Sequence, residues 1–463
     1  MKRVIILFFS FYISLAAFSQ SNEKPNIIFI LTDDQRWDAI GHAGNDIIHT
    51  PHMDSMATQS TYYHNAFVTT PICAASRASI ITGLYERTHN FTFGTPPLSS
   101  AYIDKSYPQL LKEAGYQTAF FGKLGMSIEN QRDTTLFDKI WTARTDGYFR
   151  LQGPGGKDHV HLTDLTTDKA IEFIEEQKSD APFCINISYN APHADDQSLQ
   201  QYFWPPRNNH LYEDVVIPDP ILGSPDYLNA LPDFVKDSAT IGRMRWHWRY
   251  DTPEKYQRMV KGYYRMISTI DDNLGRLRKV LSSNGLAENT IIIWLGDNGY
   301  FLGERSLAGK WLMYDNSLRV PLMIYDPKVE ASSKTEMALN IDIAPTILDY
   351  AKVPTPEIMQ GKSLCPRADN ISAQDSIEEV RVGFHCEHHF NNEYIPKSEG
   401  YRTARWKYFR YIDHPEVEEL YDLENDPLEI NDLSSSLKYI YQLNWMRNKT
   451  DSKIAELENA RIN

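Results

Sequence analysis

NIIFILTDDQ, residues 26–35, is an unbroken apolar run that ends in two adjacent carboxylates, Asp33 and Asp34. Apolar residues fill successive rather than alternate positions, so the stretch reads as a central strand of a parallel sheet, covered on both faces. Three other stretches share its form. IIIWLGDNGY (291–300) ends in Asp297-Asn298, PFCINISYNAPH (182–193) in His193, and QTAFFGKLG (117–125) in Lys123. In open α/β sheets a ligand sits beyond the carboxyl ends of the strands. Four strands that end in polar and charged groups therefore point to one shared site.

Helical patterns lie between these strands. SYPQLLKEAGY (106–116) is amphipathic, TDLTTDKAIEFIEEQ (163–177) opens on capping residues, and residues 253–285 form a long amphipathic stretch that stops at Asn-Gly. Residues 194–250 are aromatic, Pro-rich and irregular, and read as loops over the site. Beyond about residue 352 the pattern changes. RVGFHCEHHF, YRTARWKYFRYI and EELYDLENDPLEI alternate like antiparallel strands. The expected fold is α/β, a large, mainly parallel sheet between helices, with a smaller C-terminal α+β subdomain. The expected boundaries are 25–352 and 353–463.

The chain has 463 residues and a formal charge of −14. That charge argues against nucleic acid or any other polyanion as a general partner, so an anionic substrate must meet a local cluster of cations. Lys2-Arg3, the apolar run 4–18 and Ala17-Phe18-Ser19 read as a secretory signal over residues 1–19, too short to span a membrane. The expectation is an exported protein, periplasmic or secreted, with no membrane span. Cys73, Cys184, Cys365 and Cys386 are scattered and define no disulfide framework.

Asp33-Asp34 and Asp297-Asn298 offer hard oxygen donors at two strand ends, which suits Ca2+ or Mg2+; the competing reading is a pair of turn caps. Lys123 and Lys310 each follow a glycine beside such a strand end, and each could equally be a surface lysine.

TTPICAASRASIITG (69–83) places Cys73 four residues before Arg77. Its Cys73-Ala74-Ala75-Ser76-Arg77 resembles the C-x-(P/A)-S-R signature of formylglycine-dependent sulfatases, in the alkaline phosphatase superfamily. The likeness runs from Asn26 to about Leu433 and is nearest to the N-acetylglucosamine-6-sulfatase-like branch. It takes in LTDDQ, ITGLY, FGK, APH, GDNG, the GK before Trp311, and the late RTARWKY and ELYDLENDP.

The resemblance implies that a maturase converts Cys73 to formylglycine, whose hydrate attacks sulfur, and that one Ca2+ per chain is held by Asp33, Asp34, Asp297, Asn298 and residue 73. It implies Arg77 as orienter of the hydrate, Lys123 and Lys310 as clamps on sulfate, and His193 as proton donor to the leaving oxygen. The implied reaction is hydrolysis of sulfate esters on a sulfated glycan, exo-acting on a 6-O-sulfate. His385, His388 and His389 are candidates to reach the sugar, or else cap a strand. Arg243, in RMRWHWR, is a candidate for a further anionic group, or else part of a buried helix face.

The chain departs from the family pattern at one place. It reads Gly122-Lys123-Leu124-Gly125 where a histidine is usual at 125, leaving Ser127 or water as a substitute. Two other readings stay open: a phosphoester or phosphonate hydrolase of the same superfamily, and a non-catalytic glycan-binding relative.

Overall fold

The computed structural model describes residues 24–143, 147–152, 158–177, 181–366 and 381–462. The expected signal segment, 1–19, lies outside them. Eight strands form the main sheet: β1 (Asn26–Thr32), β2 (Thr61–Phe67), β3 (Gln117–Gly122), β4 (Lys139–Thr142), β5 (Phe183–Ser188), β6 (Thr290–Gly296), β7 (Leu322–Tyr325) and β8 (Ser332–Leu339). Their order is β8-β2-β7-β6-β1-β5-β3-β4. The four strands read from sequence are its centre, β6-β1-β5-β3, and they run parallel. Only β7 runs antiparallel to its neighbours, so the sheet is mixed but mainly parallel.

Alternate residues of β1 enter two different cores. Ile27, Phe29 and Leu31 pack on one face with helix α1 (Cys73–Thr82), α2 (Tyr107–Glu113) and residues 343–351. Ile28 and Ile30 pack on the other, against α3 (Leu162–Glu176) and the long α4 (Pro253–Ser283). Each such side chain contributes about 1.5–3 kcal/mol when fully buried. Two-sided burial is why the strand sequence is apolar at every position.

Register sets the site. Thr32 pairs with Gly296, Leu31 with Ser188, and Gly122 with Ser188, so four strands stop at one edge. Backbone bonds carry the alignment past the strand ends: Asp297 N donates to Thr32 O (2.9 Å), Lys123 N to Ser188 O (2.8 Å) and Asp33 N to Ala191 O (3.2 Å).

The C-terminal part forms a four-stranded antiparallel sheet, β9 (Gly383–His388), β10 (Ser398–Thr403), β11 (Trp406–Tyr411) and β12 (His414–Asp422). YRTARWKYFRYI proves to be two strands, because the chain turns back at Ala404-Arg405 between Thr403 and Trp406. RMRWHWR, within the stretch read as loops, takes the helical alternative. It is helix α5′, Ile241–Arg249, started by Thr240, whose hydroxyl accepts from Arg243 N.

The small sheet is locked to the large one through buried charge. Phe384, Cys386, Phe409 and Tyr421 extend one core. Lys407 is fully buried and paired with Asp315 and Glu429, while Arg402 adds a second contact to Asp315 at 2.9 Å. Removing one partner strands the others. Asp315→Ala should therefore cost about 3–5 kcal/mol in chemical denaturation. Lys139→Ala, which breaks the exposed Lys139–Glu176 pair, should cost less than about 1 kcal/mol.

Candidate active site

Beyond the strand ends, the chain brings together every residue of the sequence-derived metal and nucleophile set. Asp33, Asp34, Asp297 and Asn298 are buried, and Cys73 sits at the first position of α1. Ligand atoms of Asp33, Cys73 and Asp297 lie within 4.8 Å of one another, as do those of Asp33, Asp34 and His193. Asp34 holds a positive φ of 70°, a conformation a non-glycine residue adopts at some energetic cost. Its backbone is fixed from both sides: its N–H donates to Asp297 Oδ1 (3.1 Å) and its carbonyl accepts from Tyr263 (2.7 Å).

Arg77 is the hub. Nε donates to Asp297 Oδ2 at 2.9 Å, and Nη2 lies 2.8 Å from the same oxygen. Nη1 donates to Ser188 Oγ (2.6 Å) and to the Lys123 carbonyl (2.5 Å). One guanidinium thus ties α1 to the ends of β3, β5 and β6. Lys123 pairs with Asp33, and Lys310 with Asp34. His193 Nδ1 lies 2.6 Å from the Ala194 carbonyl. A carbonyl only accepts, so Nδ1 carries the proton and Nε2 faces Asp34, 3.7 Å away. The preceding Ala191-Pro192 peptide is cis. Tyr148, which the sequence gave no reason to single out, anchors this turn by donating to the carbonyls of Asn190 and His193.

Burial opposes charge throughout the cluster, and neighbours decide which groups keep it. Burial alone would raise the Asp33 carboxyl, but Lys123, His193, Arg77 and Lys310 hold it well below the usual range. Asp297 is pushed up to about 7 by burial and by the Asp33 charge, against Arg77 and Lys310. Burial works against Lys310 and Lys123 as cations, yet Asp34 and Asp33 respectively keep both above the ordinary lysine value. Burial also lowers His193, partly offset by Asp34 and Asp33.

Two buried oxygens in this cluster, Asp33 Oδ1 and Asn298 Oδ1, accept no hydrogen bond. Such oxygens are costly unless a cation or donor meets them. With the remaining carboxylate oxygens they make a hard donor set that fits Ca2+ or Mg2+. Groups able to hold a divalent ion are thus Asp33, Asp34, Asp297, Asn298 and residue 73.

The sugar-side expectations need correction. His385 and His388 are fully buried and face no solvent. His385 and His389 both lie against Glu387 Oε2, at 2.9 and 2.8 Å, in a network that Arg87 completes. His389 alone of the three keeps partial side-chain exposure. Burial pushes His388 down to about 3. Arg243 is buried too, stacked on Trp246 with its guanidinium donating to the Ser306 carbonyl. Its neighbour Arg245 is the arginine that reaches Trp311, the residue after Lys310. It stands over the Trp311 ring at 4.9 Å and pairs with Asp196. Trp311 packs with Ile72, Ala75 and Ile395 around Cys73, and Phe390 leans on that cluster. Helical phase separates Arg243 from Arg245, and the sequence carries no sign of which face is outward.

Ser127 Oγ turns to the Gly94 carbonyl and takes no part in the cluster. Gly125 has a physical cause. Its φ is +72°, and a Cβ there would stand 2.9 Å from Arg77 Cδ. The path of Arg77 fills the space a side chain at 125 would use.

The Sulfatase family model matches residues 25–353, and a model described as N-sulphoglucosamine sulphohydrolase, C-terminal, matches residues 303–456. The N-acetylglucosamine-6-O-sulfatase of Bacteroides thetaiotaomicron is 28% identical, over 91% of this chain and 84% of its own length. The choline-sulfatase of Rhizobium meliloti is 29% identical, over 89% and 83%. A solved structure described as a complex with its substrate D-glucosamine-2-N,6-O-disulfate has a TM-score of 0.76 at 25% identity, covering 94% of this chain and 99% of that one. The phosphonate monoester hydrolase of Agrobacterium radiobacter shares the fold, with a TM-score of 0.75 at 20% identity over 94% and 96%.

The clash at Gly125 can be separated from its backbone strain. Gly44 also has a positive φ, 95°, but nothing lies within 4 Å of a Cβ placed there. Gly44→Ala should cost about 1 kcal/mol. Gly125→Ala should cost at least about twice that, read as a larger fall in thermal midpoint, because Arg77 must also move.

Proposed function

The chain belongs to the sulfatase family, and from that premise we propose that it hydrolyses sulfate esters of carbohydrates. It is a sulfuric ester hydrolase with the alkaline-phosphatase-like fold. The proposed substrate is an N-acetylglucosamine 6-O-sulfate, or a related glycosaminoglycan or host-glycan sugar, cut in exo fashion. The likeness to the Bacteroides enzyme supports that choice. The observation that carries the reading is the placement of Cys73 within 4.8 Å of Asp33 and Asp297, ringed by Arg77, Lys123 and Lys310.

The roles follow from chemistry and position. Formylglycine made from Cys73 would supply the nucleophilic hydroxyl, and one Ca2+ would supply charge neutralisation between nucleophile and sulfate. Asp33, Asp34, Asp297, Asn298 and residue 73 would hold the ion. Arg77 fixes Asp297 and the start of α1, and so the direction in which residue 73 points. Lys310, buried, and Lys123, partly buried, are cations that offer ammonium hydrogens to sulfate oxygens once the anion enters. His193, pinned through Nδ1, presents Nε2 as the atom that delivers a proton to the departing alcohol oxygen. Trp311 and Arg245 are the proposed walls for the alcohol side.

The catalytic unit is proposed to span residues 25–352 and the C-terminal subdomain 353–463. The same reading requires a formylglycine-generating maturase as a partner during biosynthesis. It takes residues 1–19 as an export signal to the periplasm or outside. Among the described residues no helix is long and apolar enough to cross a membrane.

Mass spectrometry of the tryptic peptide ending at Arg77 tests the nucleophile. Protein made with a bacterial maturase should show a loss of roughly 18 Da at Cys73 and should release sulfate from N-acetylglucosamine 6-sulfate. Cys73→Ala should abolish release, and Lys310→Ala should lower kcat/KM by about 100-fold or more. An unmodified thiol under maturase co-expression would sink the catalytic reading. Chelation should reduce both activity and thermal midpoint, with Ca2+ restoring them.

A further inference from the structure

A cleft of about 600 Å3 opens between the loop 390–396, which follows β9, and the tight turn that joins β11 to β12. That volume is in the range of a small-ligand site. Its lining includes Phe234, Asn391, Glu393, Tyr394, Asp413 and His414. None of the roles argued above uses these residues.

The cleft is built against the site. Ile395, on its wall, packs with Ile72 and Trp311, the neighbours of Cys73 and Lys310. A smaller cavity lined by Lys310, Trp311, Tyr394 and Ile395 shares that wall. Backbone bonds hold the loop in place: Ile241 N donates to the Tyr394 carbonyl (3.1 Å) and Ile395 N to the Asn392 carbonyl (3.0 Å). On the far side Phe234 and His414 stack face to face, 3.7 Å between centroids and 5° apart in plane.

The lining chemistry is that of a sugar site with a defined charge. Tyr394, 44% exposed, offers a ring for the apolar face of a pyranose, and its hydroxyl is hydrogen-bonded to Glu393. Asn391 offers an amide donor and acceptor. Glu393 and Asp413 offer acceptors to hydroxyl or amine hydrogens, and among the described residues no Lys or Arg lines the cleft. Lys397 pairs with Asp413 at 3.1 Å from outside the lining, while Glu393 makes no ion pair with a lysine or arginine among the described residues. A sulfate or carboxylate seated here would meet the like charge of Glu393, with neutral donors such as the Asn391 amide but no lysine or arginine of the lining to offset it.

We propose that this cleft binds the sugar unit adjoining the one that carries the reacting sulfate, and that it takes an uncharged or amine-bearing unit and rejects a sulfated or carboxylated one. The proposal rests on the carbohydrate reading above. It adds a specificity that the nucleophile, lysines and histidine do not determine: they select the ester, whereas the cleft selects its neighbour.

Three probes test it: N-acetylglucosamine 6-sulfate, the same sugar β-linked to galactose, and that disaccharide with the galactose 6-sulfated. The neutral disaccharide should exceed the monosaccharide about tenfold in kcat/KM, and the doubly sulfated one should show no gain. Asn391→Ala with Tyr394→Ala should erase the gain and leave monosaccharide turnover within about twofold. Glu393→Lys should raise the doubly sulfated substrate about tenfold relative to the neutral one. Unchanged ratios in both variants, or a wild-type preference for the doubly sulfated disaccharide, would overturn the proposal. If the wild type hydrolyses none of the three, the carbohydrate reading fails by itself. Calorimetry with the unsulfated disaccharide then decides the cleft: binding lost in Asn391→Ala with Tyr394→Ala upholds it, and no binding to the wild type overturns it.

Discussion

The buried pair between Arg77 and Asp297 is the interaction on which the rest of the site depends. Both side chains are almost wholly removed from water, and a lone charge there would cost several kcal/mol. The pair is sustained because the guanidinium has further acceptors, the Ser188 hydroxyl and the Lys123 carbonyl. Those acceptors come from strands whose ends are level only because the central sheet is in register. The electrostatics of the site are therefore an outcome of the β-ladder. Asp33 and Asp34 are matched in the same way by Lys123 and Lys310, so the cluster alternates in sign instead of accumulating like charge.

Much of this was legible in the chain itself, for a physical reason. A strand covered on both faces must be apolar at every position, and the polar residues that follow it must lie at the sheet edge. NIIFILTDDQ and IIIWLGDNGY announce both facts locally. Cys73 and Arg77 were legible because their spacing is fixed within one helix. The residues that sequence reasoning misplaced are those whose exposure depends on distant packing. His385 and His388 lie on opposite faces of β9, yet both are buried, because this edge strand of the small sheet is covered on either side. Arg243 and Arg245 differ only in which way α5′ turns them, and that is settled by Trp311 and Asp196 far along the chain. Tyr148 acts through its hydroxyl on two carbonyls, a role with no local signature.

Gly125 shows a different limit. A missing side chain reads in sequence as a loss, and the structure gives it a positive reason: the aliphatic stem of Arg77 runs where a Cβ would stand. The Ser188 hydroxyl lies on the guanidinium of that side chain, bonded to Arg77 and to the Lys123 carbonyl.

The burial of α1 carries a consequence for the order of events in the life of the chain. All ten residues from Cys73 to Thr82 are buried, Cys73 itself being 6% exposed. The maturase proposed above would have no access to this segment once the helix is packed between sheet and core. On that proposal its work would belong to the interval before tertiary structure closes. Yield of competent molecules then becomes a race between two rates, and conditions that slow folding would favour completion of the site.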